Sequence, residues 1–446
     1  MSRAGVLAPS DSPPAAREPR RLSGLTGAAG LGVWVALVLG AWIWGGVINA
    51  SGRPNMLVQA PPLTGHFWFP TRLWMLPVVA LAILAVAFGP RVARSVPFMR
   101  LLLLGFAAAA AWAVALASTN GSHSLIGPVT DPLDYLHDLA KVVSPGAFLD
   151  SFTDRIGTYT THVRSHPPGM LLVLWSLDAA GLSGPWWVAA LEIAGGAAAV
   201  PAVLLAVREV AGEGRVREAA PFVVLAPAWV WVATSADALF MGVGAWAVAL
   251  IVIATGRRDR GGDLAALGGG LLFGAGIFLS YGLVLLAVIP GAVALVRRRP
   301  RPVLIAATGA AAVVGAFGLA GFWWFEGLFA TRRQYLEGIS RHRSYVYFLI
   351  ANLAAFAIAL GPATMAGLAR LRDRSVWLLS GGAIAAIALA DLSGMSKGEV
   401  ERIWLQFAPW VLIAGCSLAP SPRPRAWLAA NAGVAILVQI AVRSPW

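Results

Sequence analysis

Long apolar runs separated by short polar breaks make up most of this chain. The first run covers about 25–48, and others begin near Arg72, Leu101, Trp186, Ala219, Ala238, Val303, Tyr345, Ser375, Ile403 and Ala426. Each approaches the roughly 20 residues that an α-helix needs to cross a hydrocarbon core of about 30 Å, so each predicts a transmembrane helix. Residues 264–296 are too many for one crossing and barely enough for two. Ser280, Tyr281 and Gly282 at their centre predict a hairpin of two short helices. Residues 169–182 reach only about 21 Å at 1.5 Å per residue, and they include Asp178.

Basic residues settle whether 169–182 crosses, because cytoplasmic loops carry the excess of Lys and Arg. With the amino-terminal tail inside, the clusters Arg91/Arg94/Arg100, Arg208/Arg215/Arg217, Arg257/Arg258/Arg260, Arg297–Arg299 with Arg301, Arg370/Arg372/Arg374 and Arg423/Arg425 belong inside too. All of them fall inside only if 169–182 dips in or lies along the outer face. That arrangement puts 22 of the 34 basic residues inside. It predicts thirteen crossings, a cytoplasmic amino terminus and an extracytoplasmic carboxyl terminus. Residues 1–22 hold Arg3, Arg17, Arg20 and Arg21 among Pro, Ser and Ala, and read as a disordered tail. The run after them is too long for the core of a signal peptide and is expected to stay as an anchor.

Composition agrees. Hydrophobic residues make up 58% of the 446 and charged residues 12%, about half the ~25% usual for soluble domains. A cytosolic enzyme, a nucleic-acid binder and a disordered regulator are excluded, because the net charge of +13 punctuates apolar runs instead of forming a soluble patch. A single cysteine, Cys416, leaves no intramolecular disulfide and no Cys-based zinc site. Only Lys141 and Lys397 are lysines among the basic residues, which reads as the codon usage of a GC-rich bacterium. The expected location is a bacterial plasma membrane.

The outer face holds the candidate chemistry. Residues 119–168 form a loop far longer than two helices need. Within it Leu133, Leu136, Leu139/Ala140 and Val143 recur at helical spacing, so 132–143 predicts an amphipathic helix on the membrane surface. Asp131, Pro132 and Asp134 suit its N-cap and first turn. The carboxylates Asp131, Asp134 and Asp138, pressed against a bilayer, equally suit a general base. The loop ends in His162, Arg164 and His166-Pro167-Pro168. The two histidines stand four apart, but Pro167 and the lack of a Glu between them argue against a helical metal site. His166 and Arg164 instead suit contact with a phosphate or a sugar hydroxyl. Asp237, after Ser235-Ala236, is expected at the outer end of its helix, on the side of Asp131. Arg332, Arg333, Arg341 and Arg343 lie in a second outer loop, 326–344, against the orientation bias. Arginine forks bind phosphate in two-pronged fashion, and anionic headgroups would serve them as well. A third loop, 391–402, brings Lys397, Glu399, Glu401 and Arg402 to a helix entrance, as a substrate site or as a local ion-pair network. Asp178, Glu192 and Asp391 are expected to line a cavity.

The order of these motifs resembles the GT-C superfamily of membrane glycosyltransferases, such as protein O-mannosyltransferases and the lipid A aminoarabinose transferases. Asp131 with Tyr135 matches an early Asp-x-x-x-Tyr, His166-Pro167-Pro168 matches a His/Lys-Pro-Pro entry, and Ser235-Ala236-Asp237 matches a later Ser/Thr-x-Asp turn. The likeness covers about 125–300. It departs from the family in two ways: a helical pair precedes the usual module, and the usual adjacent acidic pair is spread as Asp131 and Asp134. The resemblance implies an all-α, polytopic membrane protein that inverts the sugar it moves. The donor would be a polyprenyl-phosphate sugar and the acceptor a hydroxyl of a glycan, lipid or protein. Asp131 or Asp134 would be the base, and Tyr135, His166, Asp237, Arg164, Arg332, Arg333, Arg341, Arg343, Lys397, Glu401 and Arg402 would bind substrate. The superfamily has metal-dependent and metal-independent members, so a divalent cation stays open. The expected organisation is a tail at 1–22, three transmembrane helices in 23–118, the acidic loop at 119–168, a GT-C-like module at 169–300 and further helices in 301–446. The rival readings are a transporter or lipid flippase, with a polar path across the bilayer, and a non-catalytic envelope-assembly protein.

Overall fold

A computed structural model of the chain describes residues 20–52, 56, 58–68 and 75–444. Most of the expected tail, residues 1–19, lies outside them, as does the start of the second run at Arg72. The fold is all-α apart from two strands of two residues each. Among the described residues, eight helices are long and apolar enough to cross a membrane, from Thr26–Ala50 to Arg374–Leu392. The remaining apolar runs fold as shorter or broken pieces where the pattern predicts full crossings. Gly169–Ala179 is 11 residues long, about 16 Å at 1.5 Å per residue, too short to span a bilayer core. Residues 264–296 do form two helical pieces, broken at Phe278–Ser280, close to the expected hinge.

Two breaks have a visible cause. The run from Ala219 stops at Val224, and Pro227 opens a 3-10 turn over Pro227–Trp231. The run from Ile403 is divided into four short helical segments, with Pro409 inside the third. A proline lacks the N–H that continues a helix, and irregular backbone at membrane depth is tolerated where protein buries it. Both stretches are buried, and the Trp229 indole donates to the freed Val223 carbonyl at 2.8 Å.

Ala236–Gly256 is a central helix, 78% buried, whereas Thr26–Ala50 and Met75–Ser95 are 11% buried and present apolar side chains outward. Such surfaces suit a lipid bilayer and not water. The central helix lies directly on Pro185–Ala211, and a Cβ on Gly242 would run into the Gly195 carbonyl. Small residues at a helix contact let the backbones close in this way.

The basic loops meet at one end of the bundle. Arg217 pairs with Glu213 at 2.6 Å and donates to the Ala93 and Val96 carbonyls. Arg215 reaches Asp373 and Arg297 reaches Glu209, at 2.8 and 2.9 Å. Arg299 donates to the Arg257 carbonyl. Four of the clusters grouped by charge, with the loop that carries Arg91, Arg94 and Arg100, therefore share one end.

At the other end, residues 132–143 differ from the predicted surface helix. A 3-10 turn covers Tyr135–Lys141, with Tyr135 and Asp138 inward and Leu133 and Val143 outward. The inward side has a hydrogen-bonding cause. The Asp138 carboxylate accepts the Thr160 N–H at 2.6 Å, the Leu133 carbonyl accepts the His162 N–H at 3.1 Å, and the Asp134 carbonyl accepts from the Thr160 hydroxyl. Asp131 is not the N-cap of a helix; its carboxylate accepts the Leu133 N–H at 2.8 Å in a local turn.

Candidate functional site

The return of residues 158–166 across 133–138 brings Asp134 against His162, with Asp134 Oδ2 and His162 Nδ1 2.8 Å apart and both side chains buried. A carboxylate oxygen can only accept from a ring N–H, so Nδ1 carries the proton and Nε2 is the basic position of the neutral ring. His166 is fixed in the same way, its Nδ1 donating to the His162 carbonyl at 2.9 Å. Burial holds the pKa of His166 below the usual histidine value. Tyr135 packs against both imidazoles, each ring centroid 6.0 Å away. Burial, then the charges of Asp237 and Asp134, raise its phenol well above the usual tyrosine range, so it stays neutral.

Pro167 and Pro168 end this turn and lead into Gly169–Ala179. The Gly169 N–H donates to the Phe278 carbonyl at 2.9 Å, and a Cβ at 169 would collide with that carbonyl. Only glycine allows the approach, so the motif is pinned to the 264–296 hairpin.

Ser235 begins the central helix, its Oγ accepting the Asp237 N–H at 3.2 Å. Asp237 in turn meets Arg402, Oδ2 to Nη1 at 2.9 Å, with both side chains 5% exposed. Arg402 also lies 3.5 Å from Glu399, and Arg343 lies 3.8 Å from the same carboxylate. Arg343 donates to the Met56 and Lys397 carbonyls, and Lys397 donates to the Ser340 carbonyl at 3.0 Å. Loops 326–344 and 391–402 are thus tied together.

These loops, the histidine turn and the 264–296 hairpin enclose a cavity of about 410 Å³. Arg164, Arg343, Lys397, Arg402, His162 and His166 line it, and Glu399 is the one carboxylate among the lining residues. Its wall continues onto apolar Val284, Leu285, Leu328 and Ile403. Such a cavity has a cationic surplus at one part and a greasy surface at another, which suits an amphiphile with a phosphate.

Of the residues singled out from sequence, His166, Arg164, Arg343, Lys397 and Arg402 line this cavity. Asp134, Tyr135 and Asp237 stand behind the lining. Asp131 is not with them and lines a separate cleft. Arg332 and Arg333 are exposed and outside the lining, and exposed Arg341 donates to its neighbour His342. Glu401 is fully buried, accepts the Thr64 N–H at 3.0 Å, and is pushed up to about 7 by burial. Glu192 is buried in Pro185–Ala211 and does not line the cavity; Asp178 accepts from Ser183, and Asp391 from Asn352. The structure adds His162 and Glu399. His162 was visible only as one of two histidines at a rejected metal spacing, and Glu399 only as part of an ion-pair cluster. Among the described residues, no three His, Cys, Asp or Glu side chains gather as a metal-binding set.

No protein-family model matches the sequence, and no curated protein matches it. The chemistry of the site therefore rests on its own geometry.

Proposed function

We propose that this protein is an inverting membrane glycosyltransferase that moves a sugar from a polyprenyl-phosphate donor to an acceptor hydroxyl. The observation that carries the reading is the cationic, partly apolar cavity with the Asp134–His162 pair at its wall. Asp134 orients His162 and favours the charge it gains, while His162 Nε2 takes the proton of the acceptor hydroxyl. The acceptor oxygen forms a bond to the anomeric carbon as the bond from that carbon to the phosphate oxygen breaks. The electron pair leaves with the lipid phosphate. Phosphate needs no protonating acid to depart, and Arg343, Lys397, Arg402 and Arg164 offset its charge. His166, neutral and held through Nδ1, offers Nε2 to a sugar hydroxyl. Asp237 acts indirectly by fixing the Arg402 guanidinium. The lipid chain lies along Leu285, Leu328 and Ile403 and passes into the bilayer. The basic loops face the cytoplasm of a bacterial plasma membrane, so the cavity opens on the extracytoplasmic side.

The test is complementation of a deletion strain by Asp134→Asn and His162→Asn proteins. The asparagine at 162 keeps a donor toward Asp134 and lacks the basic nitrogen. Both should reach wild-type levels in the membrane and fail to restore the missing glycan. Full restoration by either would defeat the proposal.

A further inference from the structure

Asp131 lines a second cleft, of about 450 Å³, that shares no lining residue with the cationic cavity. Its floor comes from 117–131 and from Val230, Trp231 and Ala233, and its other wall joins two distant segments. His66–Phe67 pairs antiparallel with Val442–Arg443, and the Trp68 N–H donates to the Ala441 carbonyl at 2.9 Å. Gly65 makes this closure possible. Its φ is +129°, and a Cβ there would strike the Arg443 carbonyl. Residues 63–68 belong to the helical pair that precedes the glycosyltransferase-like stretch, so half of the cleft is built outside that stretch.

We propose that this cleft binds a neutral carbohydrate chain. Among the described residues, its charged lining groups are one carboxylate, Asp131, and one guanidinium, Arg443, which offset each other. A phosphate-bearing ligand calls for a cationic surplus, as in the first cavity, and an acyl chain calls for an apolar lining. Here the lining mixes amides and a hydroxyl, from Asn120, Gln439 and Ser124, with the indoles of Trp68 and Trp231. Amides and hydroxyls both donate and accept, as a ring of sugar hydroxyls requires, and an indole offers a flat face to the C–H side of a pyranose. Trp68 is 43% exposed at the rim, with the Arg443 guanidinium 5.6 Å from its ring centre. Thr64 is 94% buried on the cleft wall, and its hydroxyl has no hydrogen-bond partner among the described residues. The Thr64 N–H is already held by Glu401, beside Arg402, so the cleft backs onto the wall of the cationic cavity.

The proposal rests on the lining of the cleft and stands apart from the transfer reaction. Full-length protein in lipid nanodiscs would be titrated with short neutral oligosaccharides of the manno, gluco, galacto and arabino series, read by saturation-transfer NMR. At least one series should bind. Trp68→Ala and Gln439→Ala, at a rim and a half-buried position, should each weaken it by about tenfold, and His162→Asn should leave it unchanged. Absence of binding by every series overturns the proposal. So does binding that Trp68→Ala leaves intact or that His162→Asn abolishes, because the sugar would then occupy the other cavity. A transferase reading that failed in complementation would leave this titration unaltered.

Discussion

Asp237 and Arg402, 165 positions apart in the chain, meet at 2.9 Å in a site where each is 5% exposed. The pair joins the start of the central helix to the loop at 391–402. Removing one partner leaves an uncompensated buried charge. Arg402→Ala should therefore destabilise the protein by about 3–5 kcal/mol. Arg402→Met with Asp237→Leu should recover much of that loss and remain inactive. Thermal unfolding in detergent, with activity measured alongside, separates the two effects.

The Asp134–His162 pair predicts a non-additive result. General-base catalysis contributes about 10²–10⁴-fold, so Asp134→Asn and His162→Asn should each cost that much turnover. The double variant should cost little more than either single one, since the two residues act as a unit. Losses that multiply in the double variant would mean that they act separately.

Tyr135 gives a sharper distinction between packing and chemistry. Its hydroxyl is buried without a partner among the described residues, and its ring fills the space behind His162 and His166. Tyr135→Phe should change stability by less than about 1 kcal/mol, or raise it, because no hydrogen bond is lost. Tyr135→Ala should misalign the two histidines and lower activity. A large destabilisation in the Phe variant would show that the hydroxyl has a partner in the bilayer-embedded protein.

Glu401 predicts a pH effect. Burial raises its carboxyl from 4.5 to about 7. Between those values the folded protein holds a proton that the unfolded chain releases, so stability falls as pH rises through the window. The contribution is complete below about 4.5 and gone above about 7. Glu401→Gln keeps an oxygen for the Thr64 N–H and cannot ionise. Melting curves across the window should slope downward for the wild type and lose this part of the slope in the variant.

The helices and their grouping by charge were legible because run length and basic loops are local signals. Arg217, Arg215 and Arg297 do meet at one end of the bundle. The division of roles between Asp131 and Asp134 was not legible. Both fit the same local pattern, and only the strand of chain at 158–162, hydrogen-bonded across 133–138, draws Asp134 inward and leaves Asp131 at a different cleft. The same bonds hold Asp134 and Asp138 inward and make 135–141 a 3-10 turn where leucine spacing predicted an α-helix. His162 was overlooked because its partner lies 28 positions away, beyond any periodicity. The pieces at 213–224 and 403–418 were read as full crossings because hydropathy does not register Pro227, which follows the end of one helix, or the change between 3-10 and α geometry around Pro409.

The most direct test of the transferase reading is mass spectrometry of the lipids that co-purify with the His162→Asn protein, beside wild type. A variant that binds its donor and cannot turn it over should retain a polyprenyl-phosphate sugar, with a fragment mass that names the sugar. Ordinary phospholipids alone, from a well-folded variant that still complements a deletion strain, would contradict the account.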